Sequence, residues 1–323
     1  MIQNVLGIDV ASKKLNLHLC GSQIKSCDTE IENSVSAIQD FLETKNITPK
    51  NCLVGCESTG RYHITCMEFF VKKGYRFNLL NPILTNKKIK TSIRNKKTDI
   101  TDARFIASLL MQGEGTGISE ENLDLTKRTL LRTRKTIVDK TTTIKIVKAD
   151  LEKLNENPKL KTAIKSLEHL IEEMEKCSKE IESEVLKKEE ISEDEKNLQT
   201  IPGIGKILGG VIAEEIGDIN KFQNANALKA YAGLDPRVNQ SGGYLRTGRI
   251  TKRGNKYLRY ALYMAAQVSR CHDPELKAFY ESLIGRGKLT RVAIVAVAGK
   301  LCARIYAVMK NNRPYQVRPV SFS

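Results

Sequence analysis

Apolar runs open the chain. VLGIDVA (5–11) and LNLHLC (15–20) read as two strands of a hairpin that turns through Ser12, Lys13 and Lys14, and QIKSCDTEIE (23–32) continues as a third strand. The spacing of Val35, Ile38, Phe41 and Leu42 predicts a helix over SVSAIQDFLETK. The strands NCLVGCE (51–57) and YRFNLLN (75–81) then flank a helical YHITCMEFFVKKG, and DITDARFIASLLM (99–111) has helical spacing again. Three consecutive strands followed by alternating helices and strands predict an α/β sheet of the RNase H type over residues 1–122.

From 123 to 196 the pattern changes to Glu, Lys and Leu with no glycine and one proline, Pro158. Leu160, Ile164, Leu167, Ile171, Met174, Ile181 and Val185 step alternately by four and three, with Ser178 in the one polar gap. Two long helices broken at NENP (155–158) are expected, a coiled-coil hairpin suited to self-association or to covering its own seam. The remainder, 197–323, reads as mainly helical. LQTIPGIGKILGGVIAEEIGD (198–218) has the form of a helix-hairpin-helix, in which Gly203 and Gly205 permit a turn whose amides can face a phosphate beside Lys206. GLDPRVNQSGG (233–243) reads as a turn-rich loop and KYLRYALYMAAQV (256–268) as a helix.

Charge adds a partner to this outline. The net charge is +16, and it is concentrated at the ends: residues 1–110 hold 16 Lys and Arg against 10 Asp and Glu, residues 111–195 hold 16 against 20, and residues 196–323 hold 21 against 7. Such a field suits a polyanion. No run reaches the roughly 18 to 20 apolar residues of a membrane span, and Asp9 interrupts the short N-terminal apolar run that a signal peptide would need. Eight cysteines without a C-x-x-C pair, and four histidines away from zinc-ligand spacing, read as reduced thiols of a cytoplasmic protein; the adjacent Cys271 and His272 read as structural.

Four carboxylates stand out against this background. Asp9 lies inside an apolar strand, where an aspartate is costly unless paired or metal-bound. Glu57 ends another strand, and Asp99 and Asp102 stand three apart at a helix start, on one face. An oxygen-only set of this kind suits Mg2+, two ions of which can stabilise both the attacking and the leaving oxygen of a phosphoryl transfer. Nine Lys and Arg and no acidic residue lie between Lys72 and Lys97; those nearest the site, Lys87, Lys88, Lys90, Arg94, Lys96 and Lys97, are candidate phosphate contacts. Downstream, Ser241 precedes two glycines, with Arg246, Arg249, Lys252, Arg253 and Arg259 within the next eighteen positions. Arginines can favour an alkoxide and clamp a phosphate, although a Ser-Gly pair alone is most often a turn.

Taken in order, GIDVASKK, CESTGRYH, NKKTDITDAR, TIPGIG, AYAGLDP, SGGYLRTGRITKRGNKYLR and NRPY resemble the DEDD transposases of the insertion-sequence-110 family, relatives of the Piv and MooV recombinases, over nearly the whole chain. The resemblance implies a RuvC-like N-terminal domain, a coiled-coil region and a C-terminal transposase domain. It implies metal binding by Asp9, Glu57, Asp99 and Asp102, a phosphoserine link from Ser241 to double-stranded DNA, and guidance by a structured bridge RNA. It also implies a homo-oligomer, dimer or tetramer, whose sites are composed from two subunits. Two rival readings use fewer of these residues: a RuvC-like junction resolvase with water as nucleophile, and a non-enzymatic RNA- or DNA-bridging protein. A sugar-kinase-like ATPase is set aside, since VASKKLNL offers no glycines after Asp9.

Overall fold

The computed structural model describes residues 3–22, 24–57, 62–80, 99–119, 126–154, 158–187, 191–241 and 244–317, with the backbone alone at 99–100, 158 and 237–249. The chain divides into two compact units, Met1–Asp124 and Leu125–Ser323.

The first unit is a mixed sheet with helices. Its strands are β1 (Asn4–Val10), β2 (Lys14–Gly21), β3 (Cys27–Glu32), β4 (Cys52–Glu57), β5 (Arg76–Leu80) and β6 (Thr116–Ile118). They lie in the order β3-β2-β1-β4-β5-β6. The three leading strands form an antiparallel meander, β1, β4 and β5 run parallel, and β6 returns antiparallel to β5. The parallel pairs need crossovers. Helices α1 (Val35–Thr44) and α2 (His63–Lys72) supply them, and α3 (Asp99–Met111) follows β5. The sixth strand has no counterpart in the apolar pattern, because three residues with a glycine at their centre are too short to show a period.

Side chains alternate between the two faces of a strand, and here the alternation separates two cores. Leu6, Ile8, Leu15, Leu17, Val54 and Phe77 are buried on one face, where Phe77 stacks on Phe70 of α2 with ring centroids 6.0 Å apart. On the other face Val5, Cys20 and Leu80 pack with Ile106, Ala107, Leu109 and Leu110 of α3. Gly7 and Gly55 open that second face to α3. A Cβ on Gly7 would collide with the Ala103 carbonyl and come within 2.5 Å of the Ala107 amide, and one on Gly55 would lie 2.7 Å from Leu110. Helix backbone therefore rests directly on strand backbone.

The second unit begins with two long helices, α4 (Thr126–Glu152) and α5 (Pro158–Val185), packed antiparallel. Arg134–Glu182, Lys145–Glu175 and Lys148–Glu168 pair across them at 2.7, 2.6 and 2.9 Å. Ile164, Ile171, Ser178 and Val185 of the α5 seam are buried, and Leu160, Leu167, Met174 and Ile181 half-buried. The chain thus covers its own seam.

After them come α6 (Glu193–Gln199), α7 (Lys206–Ile216), a 3-10 turn (Ile219–Lys221), α8 (Ala225–Tyr231), strands β7 (Pro236–Ser241) and β8 (Tyr244–Ile250), and helices α9 (Lys256–His272), α10 (Pro274–Gly285) and α11 (Thr290–Asn311). Two expectations change here. The turn-rich loop at 233–243 is half of an antiparallel hairpin, β7 pairing with β8 from Pro236–Ile250 to Ser241–Tyr244. The Gly-Gly dipeptide between the strands in the sequence is itself a hairpin signal. And α11 is long and apolar enough by composition to cross a membrane, although Lys300 and Arg304 interrupt its apolar run. In this fold it is a core helix. Val297, Ala298, Leu301, Cys302 and Ile305 are fully buried among Leu258, Ala261, Leu262, Ala265 and Ala266 of α9.

Candidate active site

The parallel register of β1 and β4 ends at the pair Ile8–Cys56, so the next residue on each strand, Asp9 and Glu57, stand side by side at the end of the sheet. Adjacent strands lie about 4.8 Å apart. Asp9 is two residues beyond Gly7 and Glu57 two beyond Gly55, so both carboxylates leave the sheet on the face that α3 covers. Both are half-buried. Cys56, buried on the opposite face, registers their presence: its thiol is pushed well above the ordinary value, first by burial, then by Cys66, Glu57 and Asp9. Across the antiparallel side Asp9 faces Asn16, a buried amide at 4 % exposure.

Helix α3 begins at Asp99 and carries Asp102, half-buried, one residue before the Ala103 carbonyl that rests on Gly7. Asp9, Glu57 and Asp102 are thus held by three elements packed on one another; the Asp99 side chain lies outside the described residues. Among the described residues no three His, Cys, Asp or Glu side chains gather as a metal-holding group. The donor chemistry nevertheless fits a hard cation. Asp9 and Glu57 offer only carboxylate oxygens, and Cys56, the neighbouring soft ligand, points through the sheet to the other side. Lys87, Lys88, Lys90, Arg94, Lys96 and Lys97 all fall outside the described residues.

The serine belongs to the second unit and is placed differently. Ser241 is the last residue of β7, and its side chain, like those of Arg246 and Arg249, lies outside the described residues. The root of the hairpin is well defined. Thr251 N–H donates to the Asp235 carbonyl (2.8 Å), Lys252 N–H to Gly233 (3.2 Å) and Asn255 N–H to Tyr231 (2.7 Å). Gly254, at φ +123°, passes so close to the Tyr231 carbonyl that a Cβ has no room. The Asn255 side-chain oxygen caps α9 by accepting from the Tyr257 and Leu258 amides at 3.0 Å, and its NH2 donates to Glu215 at 2.7 Å. Glu215, 3 % exposed, also accepts a two-pronged guanidinium from Arg132 of α4, both bonds 2.6 Å.

Of the basic residues expected to meet nucleic acid here, Lys206, Lys252 and Arg253 are exposed. Arg259 is half-buried, donates from Nη1 to the Ala232 carbonyl at 2.9 Å, and burial lowers its pKa. Part of its guanidinium is therefore committed to the fold. Gly203 takes φ +94° with its bare α-carbon against Ser269 of α9, while Gly205 is the N-cap of α7 and faces open space.

Asn16 and Glu215 carry no motif that sequence reasoning picks out. A lone Asn in an apolar strand and a Glu in an apolar helix are the faint signals each leaves, since a buried polar side chain needs a partner.

Comparison with known proteins gives a consistent picture. Residues 6–154 match the DEDD transposase domain of IS110-type elements, and residues 195–281 match the domain described as transposase of the IS116/IS110/IS902 family. The pilin gene-inverting protein of Moraxella bovis is 41 % identical over 38 % of this chain and 38 % of its own length. The transposase for insertion sequence element IS1111A of Coxiella burnetii is 32 % identical over 39 % of this chain and 35 % of its own. The 43.6 kDa protein of insertion element IS110 from Streptomyces coelicolor is 27 % identical over 38 % and 30 %. The chain spans less than half the length of the curated relatives it matches. T. thermophilus RuvC in complex with a Holliday junction substrate aligns with 36 % of this chain and 99 % of its own at 12 % identity and a TM-score of 0.27, a likeness too slight to argue from. With both transposase domains present in one chain and in this order, the protein belongs to the IS110/IS116/IS902 family of DEDD transposases.

Proposed function

We propose that this protein is an insertion-sequence recombinase that cuts and rejoins double-stranded DNA through a serine linkage. The observation that supports it most is the placement of Asp9 and Glu57 just past the last registered pair of β1 and β4, on the face where α3, which begins at Asp99, lies against the sheet. In this reading the first unit is a RuvC-like nuclease domain, and Asp9, Glu57, Asp99 and Asp102 hold Mg2+. The metal would neutralise charge on the phosphate oxygens while the carboxylates fix its position. Ser241 Oγ attacks phosphorus, the bond to the leaving DNA oxygen breaks, and the hydroxyl proton passes to solvent or a nearby base. The energy of the phosphodiester is kept in the phosphoserine for rejoining.

The rest of the chain serves binding and assembly in this scheme. The α6–α7 turn, with Gly203, Gly205 and exposed Lys206, acts as a helix-hairpin-helix contact to the DNA backbone, joined by Lys252, Arg253, Arg246 and Arg249 and by the 87–97 basic run. Residues 123–196 act as a coiled-coil element of a dimer or tetramer, and a guide RNA selects the DNA.

The test is a denaturing gel of full-length protein with magnesium, flanking RNA and labelled DNA from its own element ends. Label retained on wild-type protein and lost in Ser241→Ala supports the serine linkage. Cleaved DNA without adduct, equal in both proteins, would instead mean hydrolysis by water at the carboxylates. Full cleavage by Asp9→Asn would remove the metal-site reading.

A further inference from the structure

On the α3 face, Gly7 of β1 pairs with His18 of β2, and His18 pairs with Asp28 of β3, so the three form one row across the sheet. Helix α3 touches this row at both ends. At one end the Ala103 carbonyl sits on Gly7. At the other, Arg104 Nε donates to both oxygens of Asp28 at 3.0 and 3.1 Å, and its Nη2 donates to Oδ2 as well. His18 Nδ1 lies 2.7 Å from Asp28 Oδ1, so the carboxylate is gripped from helix and sheet together. The next row on the same face, two residues toward the end of β1, is Asp9, Asn16 and Glu30, with Glu57 beside Asp9. Two residues of strand are about 7 Å.

We propose that the Arg104–Asp28–His18 tie is a positioning device for the carboxylate site: it sets the height and rotation of α3, and thereby where Asp99 and Asp102 stand relative to Asp9 and Glu57. The inference rests on the metal-site reading above and adds to it residues that do not touch the metal. Three features support a positioning role over a purely structural one. First, Arg104 is two residues from Asp102 on one rigid helix, so any slip at the fork is transmitted to the carboxylate. Second, the guanidinium fork fixes orientation as well as distance, which a single lysine contact does not. Third, the pair lies at the surface, Arg104 56 % and Asp28 23 % exposed in their side chains, where water screens it and limits what its loss costs the fold. Loss of such a pair leaves the fold in place, whereas metal geometry is sensitive to small displacements.

The experiment titrates full-length wild type, Asp28→Asn, Arg104→Lys and Asp9→Asn with Mn2+ alone, used as a probe for oxygen-ligand divalent sites, by calorimetry, with a thermal melt of each. Asp28→Asn is expected to weaken Mn2+ binding about 10-fold, in the range seen when outer partners of metal ligands are removed, with the melting temperature moved by no more than about 2 °C. Arg104→Lys, which keeps the charge and loses the fork, is expected to fall between, at about 3-fold. Wild-type affinity in Asp28→Asn overturns the proposal, and so does a loss of affinity that only accompanies a large fall in melting temperature. Unchanged Mn2+ binding in Asp9→Asn sinks the metal-site reading itself, an outcome separable from failure of the tie because Asp9 lies outside it.

Discussion

The sheet edge of the first unit and the serine hairpin of the second place their candidate chemistry by opposite means. Asp9 and Glu57 stand one step beyond the last registered pair of two central strands, and α3 rests on two glycines immediately behind them. Their spacing is a property of the ladder. Ser241 ends one strand of a two-stranded ribbon, and such a ribbon is marginal in isolation, so its direction is decided at its root. That root is held by three backbone bonds, by Gly254 packed on Tyr231, and by Arg132 and Asn255, which both bond to the buried Glu215. The difference teaches where each region is vulnerable. The carboxylate edge is sensitive to volume added between helix and sheet, the hairpin to charge removed from beneath it.

The largest expected effect tests the second half of that contrast. Glu215→Ala leaves the half-buried Arg132 guanidinium and Asn255 amide without their acceptor; breaking a fully buried pair costs about 3 to 5 kcal/mol, and with Arg132 35 % exposed in its side chain the loss here should be about 3 kcal/mol. Urea unfolding followed by tyrosine fluorescence reports it, since eight of the ten tyrosines lie in 125–323. Mn2+ affinity at the sheet edge should stay at the wild-type value; a parallel loss there would mean that the two regions do not act separately. Gly7→Ala is the converse. Its new methyl drives the Ala103 carbonyl and the Ala107 amide off the sheet, at a cost of about 3 kcal/mol by overpacking. Mn2+ binding should be lost while the cooperative unfolding of the helical unit is unchanged.

Smaller effects sharpen the comparison. Asn255→Ala removes the α9 cap and one bond to Glu215, about 2 kcal/mol together, and should lower serine adduct formation more than it lowers stability if the root steers the hairpin. A variant with full adduct yield would show that the cap is structural only. Acid should act last, and at the sheet it acts on Asp28. Asp28 is held at about 2, chiefly by the Arg104 hydrogen bonds, which outweigh burial, with His18 adding to them. A carboxylate whose folded pKa is depressed contributes its full stabilisation above its unfolded value of about 3.9 and loses it as pH falls through the folded one. A carboxyl-carbon NMR titration should therefore place the Asp28 midpoint near 2, and a midpoint near 4 would mean that the fork is open in solution.

Much of this architecture is legible in the order of apolar residues. The meander, the parallel crossovers and α3 from Asp99 to Met111 follow from runs whose period matches their element. The α5 seam follows in the same way, each stepped position being buried or half-buried. The hairpin at 236–250 escapes because Arg237, Asn239 and Gln240 break any apolar alternation and Pro236 reads as a turn. Period-based reading detects strands through a sustained apolar alternation, and a lone Val238 among polar residues is too little to show one.

Local order in the chain thus determined most of the elements, the candidate carboxylates and the basic ends, because each is written in residue type and short-range spacing. Which groups meet was decided only by tertiary structure. Asp9 and Glu57 become neighbours through a parallel register, Arg104 reaches Asp28 across 76 positions and Arg132 reaches Glu215 across 83. The physical reason is that a buried or bridging polar pair is required only once packing has removed its water, and no local pattern encodes where along the chain the partner will lie.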